Sequence, residues 1–498
     1  MLGEIFSFSQ QSVHWFDIAL IIAYLVGIAL YGHIFSSRIH SSHDYFLAGK
    51  SLSWWVIGMS IIGTNIGSND YVGGAGGAYK IGIAQANFEW IGAIPAMIIA
   101  AFIFIPFYWR AGVFSIPEYL GRRYSDPVRV ISAVILSVFS VLIVGVFLWS
   151  TAIMLEMYIG WSIWFSILLT AGVVGFYTVS GGLAAVTYTD AVQLVIMFIG
   201  AIVVAILGIH EIGGVDIFVS EIQTKFPEHA LAFLPSTHEE FPWPGVLLGL
   251  AMVLSPAYWC TNQAILQRCL GARSEWDGKA SMMMAAFAKT LVPLLIVLPG
   301  FFALLLCKDK LANADQALPW VVKNLLPPGV SGLLFVSFIA ALQSSISSTL
   351  NSTSVMVTRD IMGVLSKRDD DALELRLGRR ITMIALVAGI FCAPLTGEFR
   401  GIYVFVQQLL SFFQGPIFAL ILMGILSKKI TPRAGLWALV LGVILAALLF
   451  YLDMNMLYMA FWSFLFSIIV LVTISRYTVP KGDEELRNLT YSTAEKEA

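Results

Sequence analysis

Charged residues are scarce in this sequence. Only 12% of its 498 residues are Asp, Glu, Lys or Arg, whereas 58% are hydrophobic. A soluble domain carries about 25% charged residues, and a soluble chain of this length divides into several domains joined by polar linkers. The sequence lacks such linkers. The composition therefore excludes a soluble multidomain protein and predicts a protein that crosses a membrane many times.

Cysteines, positive charge and catalytic motifs are sparse as well. The four cysteines show no CxxC or metal-ligand spacing, which argues against a disulfide framework or a zinc site. The net charge of −2 comes without the clustered Lys and Arg that nucleic-acid binding requires. HExxH and GxSxG motifs and histidine clusters are absent, so we expect no enzymatic activity. The first apolar run follows no basic segment, so we expect no cleavable signal peptide.

Long apolar runs are abundant. A helix needs about 20 apolar residues to cross a bilayer, and these runs lack the two-residue alternation of a membrane β-barrel. We therefore predict an all-α integral membrane protein with about thirteen transmembrane helices. The predicted spans are residues 15–36, 52–76, 84–108, 128–157, 160–178, 191–210, 242–262, 280–306, 330–358, 380–396, 402–427, 433–452 and 457–475.

Lys and Arg are distributed unequally between the loops that join these spans. Most of them fall in one set of alternate loops, as Arg122, Arg268 and Lys428 do, and in the C-terminal tail. Because positive residues mark the cytoplasmic side, the distribution predicts an external N-terminus and a cytoplasmic C-terminus. The short loops favour the cell (inner) membrane of a bacterium.

Two predicted spans contain segments that interrupt a helix. In the second span, poor helix formers run from Gly63 to Asp70, and in the seventh, Leu254 to Tyr258 includes a proline. Either segment alone is consistent with a kink packed against a neighbouring helix. Together they open two sets of five spans, and because five is odd, the two sets cross the membrane in opposite directions. This pattern is typical of inverted-repeat transporters, whose site lies between the broken helices.

The pattern predicts four segments along the chain. Residues 1–50 form an extra N-terminal helix and a cytoplasmic loop, and residues 51–210 form the first inverted repeat. Residues 242–427 form the second repeat, and residues 428–498 form peripheral helices and a cytoplasmic tail.

Ionisable residues within spans need an explanation, because each one costs about 2.5–3.5 kcal/mol on insertion scales. Asp190 is either a loop residue at a helix start, where the helix dipole stabilises it, or a functional carboxylate. Glu89 lies between two aromatic residues, a setting that suits a polar ring. Lys289 pairs with Asp70 or Glu89. We favour Asp70, since that pair leaves an uncharged pocket; the alternative is that Asp70 is a free anion that selects a cationic group or couples a proton.

Small and polar residues share one face of the ninth span. Ala341, Ser344 and Ser345 stand at positions i, i+3 and i+4. Such residues often pack membrane helices together. They also suit a sodium ion, because two hydroxyls and a carbonyl here can join the carbonyls that the break frees at Gly63 and Ile66. We therefore predict a sodium site between the two segments.

Several short motifs resemble those of the sodium/solute symporter family, in particular its sodium/glucose cotransporter-like branch. The resemblance runs from about residue 15 to 475. The motifs are Phe88-Glu89-Trp90, Ile116-Pro117-Glu118-Tyr119-Leu120, Gly181-Gly182-Leu183-Ala184-Ala185-Val186, Tyr188-Thr189-Asp190, Tyr258-Trp259-Cys260-Thr261-Asn262-Gln263, Gln267-Arg268-Cys269-Leu270 and Leu350-Asn351-Ser352-Thr353-Ser354.

The resemblance implies a LeuT-like fold of two inverted five-helix repeats with peripheral helices. It implies the same sodium ligands as the residue pattern, and it places Asp190 near the inner cation pathway, as part of a possible second sodium site. Tyr258 would be an aromatic platform and inner gate held by Asn65, with Trp259 beside it. Asp70 stands where sugar-transporting relatives carry Gln or His. The implied sugar ligands are Glu89, Ser255, Lys289 and Gln408.

The sequence thus predicts a sodium-coupled symporter that imports a monosaccharide or a related polyol. An alternative is the same machine with another organic solute, such as a sialic acid, an amino acid or a carboxylate. A membrane-embedded enzyme or a sensor is disfavoured, because neither a catalytic motif nor an appended soluble domain is present. The expected partners are the solute, sodium and the lipid bilayer.

Overall fold

The structure is a computed structural model that describes residues 14–67, 69–307, 311, 313–327, 329–366, 370–396 and 402–493. Within these ranges every regular element is helical, apart from an isolated bridge between Leu52 and Ala272. The predicted segments 1–50 and 428–498 include residues 1–13 and 494–498, which lie outside the described residues.

Most of the helices follow one another with short connections, and a longer connection, residues 226–242, precedes α11. Those of the N-terminal half are α1 (Trp15–Ile34), α2 (Ser42–Leu47), α3 (Trp54–Asn65), α4 (Gly74–Ile81), α5 (Ile94–Ile99), α6 (Ile105–Ala111), α7 (Ile116–Arg123), α8 (Asp126–Ile159), α9 (Ile163–Ile212) and α10 (Val215–Lys225). Those of the C-terminal half are α11 (Trp243–Gly245), α12 (Ser255–Thr261), α13 (Gln263–Leu270), α14 (Glu275–Lys289), α15 (Val292–Ile296), α16 (Leu298–Leu306), α17 (Ala317–Leu325), α18 (Val330–Val355), α19 (Val364–Ser366), α20 (Asp371–Thr396), α21 (Ile402–Leu426), α22 (Pro432–Tyr451) and α23 (Met456–Ser475).

Many of these helices are long and apolar enough to cross a membrane. In the described part of the chain ten helical runs meet this condition, and α14 with α15–α16 makes an eleventh if the two halves, bent by 46°, count as one span. Several runs join helices through π-helical or 3₁₀ turns; the run from Asp70 to Ala111 contains α4, α5 and α6. The all-α membrane architecture is confirmed, whereas the count of thirteen transmembrane helices stays a prediction.

The fifth and sixth predicted spans correspond to the two parts of α9. Residues 163–178 precede a kink at Gly182, and residues 191–210 follow it. The φ of 53° and ψ of −150° at Gly182 lie outside the helical region, and the positive φ favours glycine. A Cβ at this position would lie 2.5 Å from the carbonyl oxygen of Tyr45. The chain therefore leaves helical geometry at Gly182, and the two parts of α9 meet at this kink.

The predicted break in the second span is confirmed. α3 ends at Asn65, Ile66 adopts an extended conformation with ψ of 96°, and helical turns resume at Asn69. Glycine and asparagine are poor helix formers, and their concentration here explains why the helix stops at this point.

The break in the seventh span lies further along the chain than predicted. π-helical turns from Val246 to Leu254 lead directly into α12, which contains Pro256. These wider turns make room for the proline ring and tolerate the hydrogen bond that is lost because proline has no N–H. The helix stops instead at Asn262, with ψ of 117°, whose side-chain oxygen accepts hydrogen bonds from the N–H groups of Ala264 (2.9 Å) and Ile265 (3.4 Å). The prediction of a break at 254–258 is therefore wrong by several residues.

α18 is at the centre of the molecule. Of the residues in the most apolar stretch of the run that contains α18, 89% are buried. The corresponding share is 28% for the run that contains α1 and 33% for α22. It packs against α1, α3, α8, α9 and α20. The small and hydroxylated residues of α18 permit this close packing, and they place its polar face against the broken end of α3.

Candidate functional site

A cavity lies in the middle of the molecule, where the interrupted helices α3 and α12 face α8, α18 and α21. It extends past Ser352 and Met356 of the α18 run, toward the ends of the helices that carry the basic loops. The described residues that line it include seven of the eight predicted substrate ligands: Asn65, Asp70, Glu89, Ser255, Tyr258, Trp259 and Lys289.

The prediction of Gln408 as the eighth ligand does not agree with the structure. It is not among the residues that line the cavity, whereas Gln407 and Gln414 of the same helix are. Neighbouring residues of a helix point about 100° apart, so the prediction chose the wrong face of α21 by one position. No periodic signal in the sequence separates the two glutamines.

Glu89 and Lys289 form a buried ion pair at the wall of the cavity. The Lys289 ammonium donates to a carboxylate oxygen of Glu89, and both side chains are at most 6% exposed. The same ammonium lies 5.6 Å from the centre of the Trp259 ring, within the range of a cation–π contact. The preferred pairing of Lys289 with Asp70 is therefore wrong, because α14 brings Lys289 against the turn that carries Glu89.

Asp70 is bound instead by the main chain of its own loop. Its Oδ2 accepts a hydrogen bond of 2.8 Å from the N–H of Gly67. The N–H groups of Asp70 and Tyr71 in turn donate to the Gly67 carbonyl, at 3.2 and 3.1 Å. The carboxylate thus holds the interrupted segment in a compact turn at the edge of the cavity.

Tyr258 and Asn65 join the two interrupted helices. The Asn65 amide donates to the Tyr258 hydroxyl at 3.3 Å, and the ring of Tyr258 packs edge-on against Trp259 with centroids 5.3 Å apart. Asn65 is the last residue of α3, and Tyr258 lies one turn before the break at Asn262. The predicted contact between Tyr258 and Asn65 is present, and the role of Tyr258 as a gate stays a prediction.

The five predicted sodium ligands are divided between α3 and α18. Gly63 and Ile66 lie at the end of α3, and a Cβ at Gly63 would be 3.6 Å from the Ser344 hydroxyl oxygen. The Ser345 hydroxyl donates to the carbonyls of Thr64 (3.0 Å) and Ala341 (3.1 Å). The structure therefore brings together hydroxyl and carbonyl oxygens, which are the ligands that a hard cation prefers.

Asp190 lies beside the same site. It is inside α9 and completely buried, so the alternative of a loop residue at a helix start is wrong. Its Oδ1 accepts from the Ser344 hydroxyl at 2.7 Å, and its Oδ2 accepts from the Ser60 hydroxyl at 2.5 Å. The carboxylate thus contacts the hydroxyl of a predicted sodium ligand.

Arg268, which the sequence analysis assigned to a cytoplasmic loop, is the counterion of Asp190. Its guanidinium is 1% exposed, donates to Asp190 Oδ2 at 2.9 Å and also reaches Thr64 at 2.6 Å and Ser348. A buried arginine is stable only with such partners. Asp190 was itself the signal that could have indicated Arg268, since a buried carboxylate requires a nearby donor or cation.

A second missed residue is Asp17 of α1. It is 2% exposed and its Oδ1 accepts from the N–H groups of Gly329 (2.6 Å) and Gly332 (3.2 Å) at the start of α18. Ser331 donates to its Oδ2 at 3.1 Å. The carboxylate caps α18 from another helix, where negative charge is favourable.

Known proteins resemble the chain over most of its length. The model of the sodium:solute symporter family matches residues 45–442. Sodium/glucose cotransporter 1 of Ovis aries is 30% identical, over 96% of this chain and 81% of that protein. The sodium/glucose cotransporter of Vibrio parahaemolyticus is 31% identical, over 94% of this chain and 90% of that protein.

Solved structures share the arrangement of helices. A Na⁺-coupled sialic acid symporter in a substrate-bound outward-open state has a TM-score of 0.84 at 22% identity, over 94% of this chain and 98% of that chain. MhsT in complex with L-phenylalanine has a TM-score of 0.54 at 14% identity, over 85% and 98%. At these identities the likeness concerns the fold, which is LeuT-like.

Proposed function

The chain belongs to the sodium:solute symporter family, and from this premise we propose that it imports a monosaccharide, such as a glucose- or galactose-like hexose, or a related polyol. Family membership makes the protein a multi-pass secondary transporter that couples a small-molecule solute to sodium, and not an enzyme. The nature of the solute is the part that we infer from the cavity.

The buried Glu89–Lys289 pair carries the inference of a sugar. It offers a hydrogen-bond acceptor and a donor side by side at the cavity wall, next to the ring of Trp259. A polyhydroxylated ring both donates and accepts hydrogen bonds, and its apolar face packs on an aromatic side chain. Asn65, Ser255 and Tyr258 add polar contacts around it. Relatives named as sodium/glucose cotransporters support the same class of solute.

The runner-up is another organic solute, and the fold of a sialic acid symporter is the observation in its favour. The charges of the cavity weigh against an anionic solute. Of the described residues that line the cavity, Asp70 and Glu89 are acidic and Lys289 alone is cationic. Because Lys289 is already paired with Glu89, a sialic acid or another carboxylate would meet an unfavourable potential from Asp70.

Sodium binds, in our proposal, to the carbonyls of Gly63, Ile66 and Ala341 and to the hydroxyls of Ser344 and Ser345. A site of neutral oxygens holds a monovalent cation without retaining it permanently. Asp190 lies one hydroxyl away and we infer that it belongs to a second sodium pathway. Its pairing with Arg268 means that another cation must compete with the guanidinium for the carboxylate.

For the whole chain we propose thirteen crossings with two inverted repeats, residues 51–210 and 242–427, and a peripheral segment on each side. Thirteen follows if α9 counts as two crossings on either side of Gly182, and α3 with α4 and α12 with α13 each as one broken crossing. The distribution of Lys and Arg supports an external N-terminus, a cytoplasmic C-terminus and a place in the cell (inner) membrane.

The proposed coupling is energetically sufficient for accumulation. One sodium ion that moves down about 100 mV releases roughly 2.3 kcal/mol, and a tenfold sodium gradient adds about 1.4 kcal/mol. Their sum corresponds to an accumulation of a neutral solute of roughly several hundredfold.

Uptake into proteoliposomes tests the proposal. We expect a sodium gradient to drive uptake of one or more sugars from a panel of labelled hexoses, inositol, sialic acid and proline. Equal sodium on both sides and protein-free liposomes are the controls. If sodium drove uptake of sialic acid or proline but of no sugar, the proposed solute would be wrong. Uptake that is independent of the sodium gradient would contradict coupling.

A further inference from the structure

One peptide group links Asp70, which lines the cavity, to Ile66, a proposed sodium ligand. Its N–H belongs to Gly67 and its carbonyl belongs to Ile66, because the two residues share this peptide unit. The N–H donates to Asp70 Oδ2 at 2.8 Å. The Ile66 carbonyl is one of the proposed sodium ligands, so the carboxylate of Asp70 fixes the orientation of that carbonyl through a rigid peptide plane.

The same hydrogen bond also releases a second carbonyl. In a continuing α-helix the N–H of Gly67 would donate to the carbonyl of Gly63, four residues earlier. Ile66 still makes this type of bond, to Ile62 at 3.1 Å, whereas Gly67 donates to Asp70. The Gly63 carbonyl, another proposed sodium ligand, is therefore without its usual helical partner and available to a cation.

The charge of Asp70 strengthens both effects. A hydrogen bond to an ionised carboxylate is roughly twice as strong as a neutral one, and it polarises the peptide so that the carbonyl at the other end becomes a better ligand. Lys289, the cation that lines the same cavity, is bound to Glu89. The negative charge of Asp70 is thus directed at the peptide group and at the cavity.

Asp70 also faces the solute. It lines the cavity together with Glu89 and Lys289, and a carboxylate has about four lone-pair sites, of which the Gly67 N–H uses one. We propose that Asp70 is a positioning residue that couples the two sites: one carboxylate oxygen sets the Gly63 and Ile66 carbonyls for sodium, and the other accepts a hydroxyl of the solute. This inference rests on the proposed sodium site.

The competing explanation is an ordinary helix cap. Asp70 stands three residues after Gly67 and just inside a helical run, a position where a carboxylate stabilises the first turn. Asp44 offers a matched comparison in α2. Its Oδ2 accepts from the N–H groups of Ser41 (3.1 Å) and His40 (3.2 Å), and it does not line the cavity. Both residues cap a turn, but only Asp70 adjoins the sodium site.

Equilibrium binding of ²²Na⁺ to the purified full chain, with and without the sugar identified by uptake, distinguishes these explanations. We expect Asp70→Ala to weaken sodium binding without sugar by about tenfold, equivalent to about 1.4 kcal/mol, and to abolish the tightening of sodium binding by sugar. Asp70→Asn should have a smaller effect, because it retains an acceptor for Gly67 but not the charge. Asp44→Ala should lower the unfolding temperature while sodium binding stays unchanged.

Unchanged sodium affinity in both Asp70 variants would overturn the inference. If these variants also lost sugar binding, Asp70 would be a solute ligand only. If they retained sugar binding, Asp70 would be a helix cap only. If Asp70→Ala does not fold, Asp70→Asn still decides between these outcomes because its shape is conserved. A wild-type protein that binds no sodium would overturn the sodium site itself, and this failure is distinguishable because it does not depend on Asp70.

Discussion

Two adjacent serines of α18 donate their protons to oxygen atoms of the protein. Ser344 donates to Asp190, and Ser345 donates to the carbonyls of Thr64 and Ala341. A hydroxyl that has donated its proton keeps two lone pairs, which is the orientation that a cation requires.

We therefore expect Ser344→Ala and Ser345→Ala each to raise the sodium concentration for half-maximal uptake. A lost oxygen ligand of about 1 kcal/mol corresponds to roughly a fivefold increase. Sodium titration of uptake measures the effect. Ser347→Ala is the matched control, since Ser347 is buried in the same helix, donates to the Ser344 carbonyl and is not a proposed sodium ligand. A similar shift in all three variants would indicate a loss of packing only.

The ion pair of Glu89 and Lys289 leads to a prediction about both stability and transport. Glu89→Gln or Lys289→Gln leaves one buried charge without its partner, and such changes cost about 3–5 kcal/mol. The double substitution removes both charges, so we expect it to unfold at a higher temperature than either single variant, yet to transport little sugar. Thermal unfolding in detergent measures this difference.

The exposed pair of Lys80 and Glu240 is the control for this experiment. The side chain of Lys80 is 54% exposed, and exposed pairs contribute little to stability, so Lys80→Gln should leave the unfolding temperature nearly unchanged. Additive effects of Glu89→Gln and Lys289→Gln would mean that the two side chains do not interact in the folded protein.

Residue types were predictable from the sequence, but their partners were not. The serine face of α18 and the cost of charges within spans identify Ser344, Asp190 and Lys289 without any structure. Whether Lys289 meets Asp70 or Glu89 depends on how α14 packs against the turn at Glu89, which lies 200 residues away in sequence. Arg268 shows the same limit, because its burial depends on α13 packing next to α3 and α18.

At the scale of elements, the two helix breaks show which signals are local. The break after Asn65 was predictable because glycine and asparagine are concentrated there. Pro256 suggested a break that the preceding π-helical turns accommodate, and the actual break depends on Asn262, whose side chain caps the next helix. Asparagine within an apolar run does not by itself distinguish a cap from a packing residue.

The cap of α18 by Asp17 leads to a prediction for a whole helix. Asp17→Ala leaves the N–H groups of Gly329 and Gly332 without their acceptor, and a buried unpaired group such as the N–H of Gly332 costs about 1–3 kcal/mol. We expect a lower unfolding temperature and weaker sodium binding, because α18 carries the serine ligands. Asp17→Asn retains an acceptor oxygen, so its unfolding temperature and sodium affinity should lie between those of Asp17→Ala and the wild type.

Asp216 is the control for this substitution. It is in the first turn of α10, but its side chain is exposed, so Asp216→Ala should change neither property by more than a small amount. If Asp17→Ala were as stable as the wild type, water would satisfy the free N–H groups at the start of α18. The contact with α1 would then not fix the position of α18.

At the scale of the whole molecule, the fold class was predictable from composition because apolar runs of membrane length have few alternatives. The geometry of the bends between helices was not, since a bend such as that at Gly182 depends on close contact with Tyr45, which requires glycine. The position of the C-terminal segment was also hidden, because its sequence is short and polar, although residues 480–493 pack against the body of the protein.

This segment connects helices that are distant in sequence. The carbonyl of Leu489 accepts from the Tyr119 hydroxyl of α7 at 3.0 Å, and the N–H of Tyr491 donates to the Ile425 carbonyl of α21 at 2.8 Å. The side chains of Leu486 and Leu489 are 0% and 6% exposed. Buried leucines in an otherwise polar tail indicate that the segment helps to hold α7 and α21 together.

We expect Leu486→Ala and Leu489→Ala each to destabilise the protein by about 2 kcal/mol, the lower end of the range for buried leucine. Thermal unfolding of the purified protein measures the loss. Val479→Ala removes an apolar side chain that is 85% exposed and should have no measurable effect. If Leu486→Ala unfolds at the same temperature as Val479→Ala, the tail contributes nothing to stability, and the contacts at Tyr119 and Ile425 do not join α7 to α21.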